Sequence, residues 1–306
     1  MNGLLIIDKP VGLTSHDVVA RVRRILREKR TGHTGTLDPF ATGVLVVMAG
    51  RATRLAQFLH GADKTYAATI RFGYATDTGD LTGAPKPESY VRLRSLREIT
   101  AQDLETAMQT LRGTIQQVPP MYSAKKVQGK KLYELARAGQ SIERQPVAVT
   151  VKQFEAAPRD GALFRFNDDD TADLDVTARC TAGTYIRTLA EDLGAALGLG
   201  AHLVALRRTC AGIFGLEQAV TLEELEIKGE TALLPCSAAL PAMPLRQLDA
   251  DETRRVLHGQ ALPWRDAPLP AGQFVRLQDE RGELVAIAVH DEGALRPRVV
   301  LAEGGN

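Results

Sequence analysis

The densest concentration of groups able to do chemistry is the run Gly32-His33-Thr34-Gly35-Thr36-Leu37-Asp38-Pro39-Phe40-Ala41-Thr42-Gly43. Its glycines let backbone turn sharply or approach a ligand, and its hydroxyls can bind phosphate or close a turn. Asp38 is the one carboxylate in it, a group suited to nucleophilic attack or proton transfer. No Gly-Lys-Ser/Thr closes the run, so it is not a nucleotide-triphosphate loop. An Asp before a Pro is also an ordinary way to begin a turn, and on this run alone that structural role is the commoner one. A second candidate is Gly183-Thr184-Tyr185-Ile186-Arg187-Thr188, where a helix is expected to start. Arg187 in a first turn opposes its own helix dipole, which calls for an anionic partner, although a surface ion pair is the frequent explanation for such a residue. A third is the polar segment from Tyr122 to Lys131, with lysines at 125, 126, 130 and 131.

These segments sit in a chain of 306 residues, enough for about two domains at ~150 residues each. Hydrophobic residues make up 44% and charged residues 25%, which excludes a disordered or fibrous chain. Apolar runs such as Val44 to Ala49 fall far short of the ~18 residues that span a bilayer. The first residues lack a basic start before their apolar stretch, so no secretory signal is expected and the cytoplasm is the expected location. Three cysteines, Cys180, Cys210 and Cys236, with no CxxC pair, indicate reduced buried thiols instead of a disulfide frame or a zinc knuckle. The net charge of +1 hides segregation: residues 1 to 60 hold nine Lys/Arg against four Asp/Glu, and residues 121 to 152 hold seven against two. Brought together, those segments would face a polyanion, whereas scattered they would be solvated charge.

The elements that must position these groups can be read from periodicity and caps. A buried strand is expected at Leu4 to Ile7, followed by a helix capped by Thr14 and Asp17 with Val18, Val19, Val22, Ile25 and Leu26 on its apolar face. Residues 31 to 43 read as a glycine-rich loop, 44 to 48 as a strand, 53 to 59 as a short helix and 65 to 72 as a strand. Thr100 and Asp103 cap another helix, with Gly113 placed to end it. Further strands are expected at 147 to 154, 163 to 166 and 174 to 179, short helical stretches at 132 to 138, and a helix from Tyr185 to about Leu197. Prolines cluster at 241 to 244, where a boundary is expected, and beyond it come a short helix at 251 to 257 and strands at 274 to 278, 284 to 289 and 299 to 301. The acidic run Asp168-Asp169-Asp170 reads as solvated charge.

Five of these segments occur together in one order: Lys9-Pro10-Val11-Gly12-Leu13-Thr14-Ser15, the Gly32 to Pro39 loop, Lys64-Thr65-Tyr66, Pro119-Pro120-Met121-Tyr122-Ser123-Ala124, and Gly183-Thr184-Tyr185-Ile186-Arg187. In that order they closely resemble the motifs of the bacterial tRNA pseudouridine-55 synthase family, over most of the first 240 residues. Thr36 and Phe40 stand where the family often has Ala and Leu, and neither change removes a reactive group. The resemblance implies an α+β catalytic domain, residues 1–243, with a mixed, largely antiparallel sheet and flanking helices, and an RNA-clamping insertion at about 121–152. It implies a small β-rich PUA-like RNA-binding domain over 244–306. The activity implied is isomerisation of a uridine in the TΨC loop of tRNA, with no cofactor and no metal, by a monomer that needs no protein partner and no membrane.

By position in those motifs Asp38 is the catalytic carboxylate. It could attack the sugar carbon or the uracil ring, or act on a ribosyl intermediate, and the residues do not choose among these routes. Arg187 is its ion-pair partner, opposing the upward pKa shift that burial imposes. Tyr66 is the active-site aromatic that stacks on a base flipped out of the RNA at a cost of a few kcal/mol. His33, Tyr185, Lys9, Lys125, Lys126, Lys130 and Lys131 are the implied RNA contacts. Two rival readings remain: a guide-RNA-dependent relative acting on ribosomal RNA, and an RNA-folding chaperone in which catalysis is dispensable.

Overall fold

A computed structural model describes residues 1–86, 89, 97–123, 125–127, 130–137, 139–140, 142–159, 161–265 and 268–301, with backbone alone at 126, 127, 130, 131, 133, 134 and 137. Twelve strands come first: β1 (Gly3–Lys9), β2 (Thr31–Thr34), β3 (Thr42–Ala49), β4 (Lys64–Phe72), β5 (Gly113–Gln117), β6 (Lys126–Val127), β7 (Lys130–Lys131), β8 (Val147–Ala156), β9 (Arg165–Phe166), β10 (Ala172–Cys180), β11 (Ala201–Ala211) and β12 (Phe214–Gly215). All but the β6–β7 hairpin join one sheet with the order β1-β3-β11-β4-β10-β8-β5, and β2, β12 and β9 add to β3, β11 and β10. Within it only β3 and β11 run parallel, with Arg207 beside Thr42 and Arg208 beside Gly43.

The sheet follows from side-chain alternation. In β4 the inward positions are Lys64, Tyr66, Ala68, Ile70 and Phe72, the period-two pattern that puts Lys64 and Tyr66 on one face. In β1 and β3 nearly every residue is buried, which explains their unbroken apolar runs. Leu5, Ile7, Leu45 and Val47 pack under the helix Ser15–Leu26, while Leu4, Ile6, Val44, Val46 and Met48 face the other way. That helix starts as its sequence predicts, with reciprocal bonds between Thr14 and Asp17, and the helix Ala101–Thr110 repeats the device with Thr100 and Asp103.

The C-terminal strands β13 (Leu245–Gln247), β14 (Leu262–Pro263), β15 (Phe274–Gln278), β16 (Leu284–Asp291) and β17 (Ala294–Val300) form a second sheet in the order β13-β15-β16-β17-β14. The helix Ala250–Leu257 packs on it. The two sheets share a core: Leu284, Ile287, Val299 and Leu301 pack in one cluster with Leu4, Ile6, Val44 and Val46. The expected α+β class with a β-rich C-terminal part describes this architecture.

Several elements differ from their sequence expectation. Residues 31 to 34, expected in a loop, pair with β3 as β2. The 53 to 59 helix is a 3-10 turn, Gly50–Leu55, continued by a single α turn, Ala56–Leu59. Gly113 takes the expected left-handed φ of 79°, but it opens β5, the helix having already ended at Thr110. β11 matches no expected element, because its Arg207-Arg208 pair breaks the apolar alternation that marks a strand.

Candidate active site

Asp38, Tyr66 and Arg187, far apart in sequence, line one cavity of about 310 Å3 with Gly35, Leu37, Lys64, Ser123, Gly183, Tyr185, Leu206 and Arg208. That volume lies within the ~300–1,000 Å3 range of small-ligand pockets. Arg187 Nε is 3.0 Å from Asp38 Oδ2. The arginine is 5% exposed at its side chain and the aspartate 35%, so the cation is sealed in and the carboxylate reaches the pocket.

The first motif holds Asp38 in place from behind. Leu37 N donates to Ser15 Oγ at 2.8 Å and Ser15 Oγ to Leu37 O at 3.2 Å, fixing the residue before the aspartate. On its other side Pro39 O accepts from Gly12 N at 2.8 Å and from Lys9 Nζ at 3.3 Å. Lys9 also donates to Pro10 O and Leu13 O and is fully buried. Expected as an RNA contact, it is placed inside the protein, because three backbone carbonyls of the turn and the catalytic loop need a donor there. Burial pulls its ammonium down to about 8.

Arg187 enters from the second residue of the helix Ile186–Ala196. The residue before that helix is gripped by Gln117 at the end of β5, whose side chain accepts from Tyr185 N at 2.9 Å and donates to Tyr185 O at 3.1 Å. Its guanidinium also donates to Thr78 O at 2.8 Å and Tyr122 O at 2.6 Å, so the Pro119 to Ser123 motif supplies an acceptor to it. A second carboxylate lies 3.6 Å from Nη1, that of buried Asp80. Sequence reasoning missed Asp80. The available signal was Thr78-Gly79-Asp80-Leu81-Thr82, whose two threonine hydroxyls both donate to the Asp80 carboxylate, at 2.9 and 2.6 Å.

Burial raises the Asp38 pKa, Arg187 and Lys9 pull it down, Asp80 pushes it up, and the net displacement is upward. The expected arginine is therefore present and opposes desolvation without cancelling it. Tyr66, 8% exposed, is pushed up by burial against the nearby charge of Arg208. Lys64 is lowered by burial and donates to His60 O and Ala62 O.

The remaining expected contacts distribute unevenly. Tyr185 lines the cavity. His33 stands on β2 edge-on to His16, with ring centroids 5.5 Å apart, and burial pulls its pKa down to about 4, leaving the ring neutral at pH 7. Its Nδ1 is buried with no partner. Lys125 is partly exposed and its carbonyl accepts from Leu132 N, while Lys126, Lys130 and Lys131 contribute backbone to the β6–β7 hairpin and their side chains lie outside the described atoms. Ser123 brings a buried hydroxyl with no partner to the cavity wall.

Chains of solved structures share this fold. A chain from the crystal structure of a Cbf5-Nop10-Gar1 complex superposes with a TM-score of 0.71 and 26% identity, over 99% of this chain and 85% of that one. A chain from the structure of an H/ACA RNP bound to a substrate RNA containing 2'-deoxyuridine gives 0.70 and 25%, over 99% and 86%. The family models place the chain more closely. Residues 23–186 match the model described as TruB family pseudouridylate synthase (N terminal domain), 187–236 the tRNA pseudouridylate synthase B C-terminal domain, and 244–301 the model described as Pseudouridine synthase II TruB, C-terminal. Proteins named tRNA pseudouridine synthase B are 45% identical in Ralstonia nicotianae, over 97% of this chain and 93% of the relative, and 44% identical in Thermobifida fusca, over 98% and 99%. The chain belongs to the TruB family of pseudouridylate synthases.

Proposed function

We propose that the chain isomerises a uridine of the TΨC loop of tRNA, position 55, to pseudouridine, with Asp38 as the essential carboxylate. The observation that carries this is the Asp38–Arg187 pair at the floor of a cavity walled by Tyr66 and Tyr185. The N1–C1′ bond breaks, a C5–C1′ bond forms, the C5 proton leaves and N1 takes one up, so the reaction is an isomerisation with nothing oxidised. A single carboxylate held by a sealed arginine suits it, because Asp38 must be ionised to act and Arg187 favours that form.

The target base must leave its stack to reach a cavity of this depth, and a Tyr66 face recovers stacking energy inside it. A neutral His33 with an unsatisfied nitrogen is suited to meet the displaced RNA without the desolvation cost of a cation. Partly exposed Lys125 and the lysine hairpin are assigned to phosphate contacts, which makes binding salt-dependent. Residues 244–306 are assigned as the second RNA-holding part, and the chain acts as a monomer in the cytoplasm. Among the described residues no helix is long and apolar enough to cross a membrane.

The test is incubation of unmodified tRNA transcript with the purified chain and with Asp38→Asn, followed by an assay for pseudouridine. Product from wild type alone supports the reading. Product from both at one rate removes Asp38 from catalysis, and binding without product from either favours the chaperone. Activity only with an added guide RNA favours the guide-dependent reading.

A further inference from the structure

Arg208 is a buried charge without a counter-charge. It is 1% exposed and the largest fully buried side chain among those described, and no carboxylate pairs with it among the described residues. A guanidinium cannot shed its proton to escape that cost, so donors and dipoles around it must compensate. Two carbonyls do so: Nε donates to Val44 O at 2.7 Å and Nη2 to Gly35 O at 3.0 Å. Gly35 and Val44 stand at the two ends of the loop that carries Asp38. On the neighbouring strand Tyr66 is the register partner of Arg208, both side chains line the cavity, and the guanidinium charge acts on the phenol.

The backbone of Arg208 is as constrained as its side chain. It lies beside Gly43 in the one parallel pairing of the sheet, and a Cβ on Gly43 would stand 2.2 Å from Arg208 O. Gly43 has a φ of 97°, so an L side chain is excluded there on both counts. β11 therefore passes against the exit of the catalytic loop at van der Waals distance and sends one side chain across to its entrance.

Resting on the reading of Asp38 and Tyr66 given above, we propose that Arg208 is a positioning residue of the isomerisation: its guanidinium clamps both ends of the Asp38 loop and fixes that loop beside Tyr66. A lysine retains the charge but not the fork that reaches two carbonyls together, so Arg208→Lys separates the clamp from the charge.

The experiment measures single-turnover rates at saturating tRNA transcript, transcript affinity and folded fraction for wild type, Arg208→Lys, Tyr66→Phe, the double variant and Asp38→Asn. Arg208→Lys is expected to bind transcript within about threefold of wild type and to turn over ~100-fold more slowly, the scale set by a 1 Å misplacement of reacting groups. In the double variant the loss is expected to be smaller than the product of the two single losses, as for residues acting through one another. A wild-type rate for Arg208→Lys, a loss confined to affinity, or independent multiplication of the two losses overturns the proposal. If Arg208→Lys does not fold, the same cycle is run with Arg208→Gln, and failure of both to fold makes Arg208 an architectural residue and also overturns it. Asp38→Asn turning over at the wild-type rate defeats the catalytic reading itself, whatever Arg208 does.

Discussion

The two sheets of this molecule bury very different things. The first hides Lys9, Lys64, Asp80, Arg187 and Arg208, whereas the second, among its described residues, hides only Gln278 and His290 as polar groups and is otherwise packed with Val275, Leu277, Val285, Ile287 and Leu295. Desolvating charge is costly even when it is well paired, so a fold selected for stability alone has little reason to collect it. Of these charges Arg187 pairs with Asp38, Lys9 and Arg208 brace the backbone of its loop and Lys64 lines its cavity, and the second sheet shows how this chain packs away from that site.

The contrast can be broken most directly at Asp38. Asp38→Asn is expected to lower turnover by ~10,000-fold or more, read as pseudouridine formed in single-turnover assays, while transcript affinity stays close to wild type. Next comes Arg187→Met, expected to lose turnover by ~100-fold or more. It should also destabilise the chain by about 3 kcal/mol in urea unfolding, because Asp80 is left as a buried charge without its partner. In the second sheet Leu277→Ala should cost about 2–5 kcal/mol for the cavity it opens, with the rate per folded molecule unchanged. If that substitution slows the chemical step, the division of labour between the sheets is wrong.

The smallest effect carries a sign. The Asp38 pKa is raised by burial, so its stabilising contribution relative to an uncharged residue is present below the ordinary carboxylate range and is lost as pH rises through the raised value. Asp38→Asn is therefore expected to melt higher than wild type at neutral pH, by a margin that closes on acidification below that value. Activity runs oppositely: the acid limb of the wild-type rate profile should lie above the ordinary carboxylate range, since the carboxylate must be ionised to react. A lower Tm for Asp38→Asn at neutral pH would contradict the burial cost.

Legibility in the sequence divides along physical lines. Local devices were readable: the Thr14–Asp17 and Thr100–Asp103 capping boxes need only four residues each. Motif order located Asp38, Tyr66 and Arg187, although what joins them is tertiary. Asp80 was not readable, since an acid in a threonine- and glycine-rich loop looks solvated until Arg187 arrives from more than a hundred residues away. Arg208 was hidden because charge in a strand argues for exposure, and the carbonyls of Val44 and Gly35 that satisfy it come from a distant segment. Lys9 misled for the same reason, its ammonium being satisfied by carbonyls that a sequence does not locate.

Swinging the two sheets apart would uncover the cluster in which Ile287, Val299 and Leu301 pack with Leu4, Ile6 and Val46, and every apolar side chain exposed would oppose the motion. Were the second sheet to hold RNA as proposed above, it and the Asp38 cavity would meet that RNA as one packed body, and the RNA would have to do the bending.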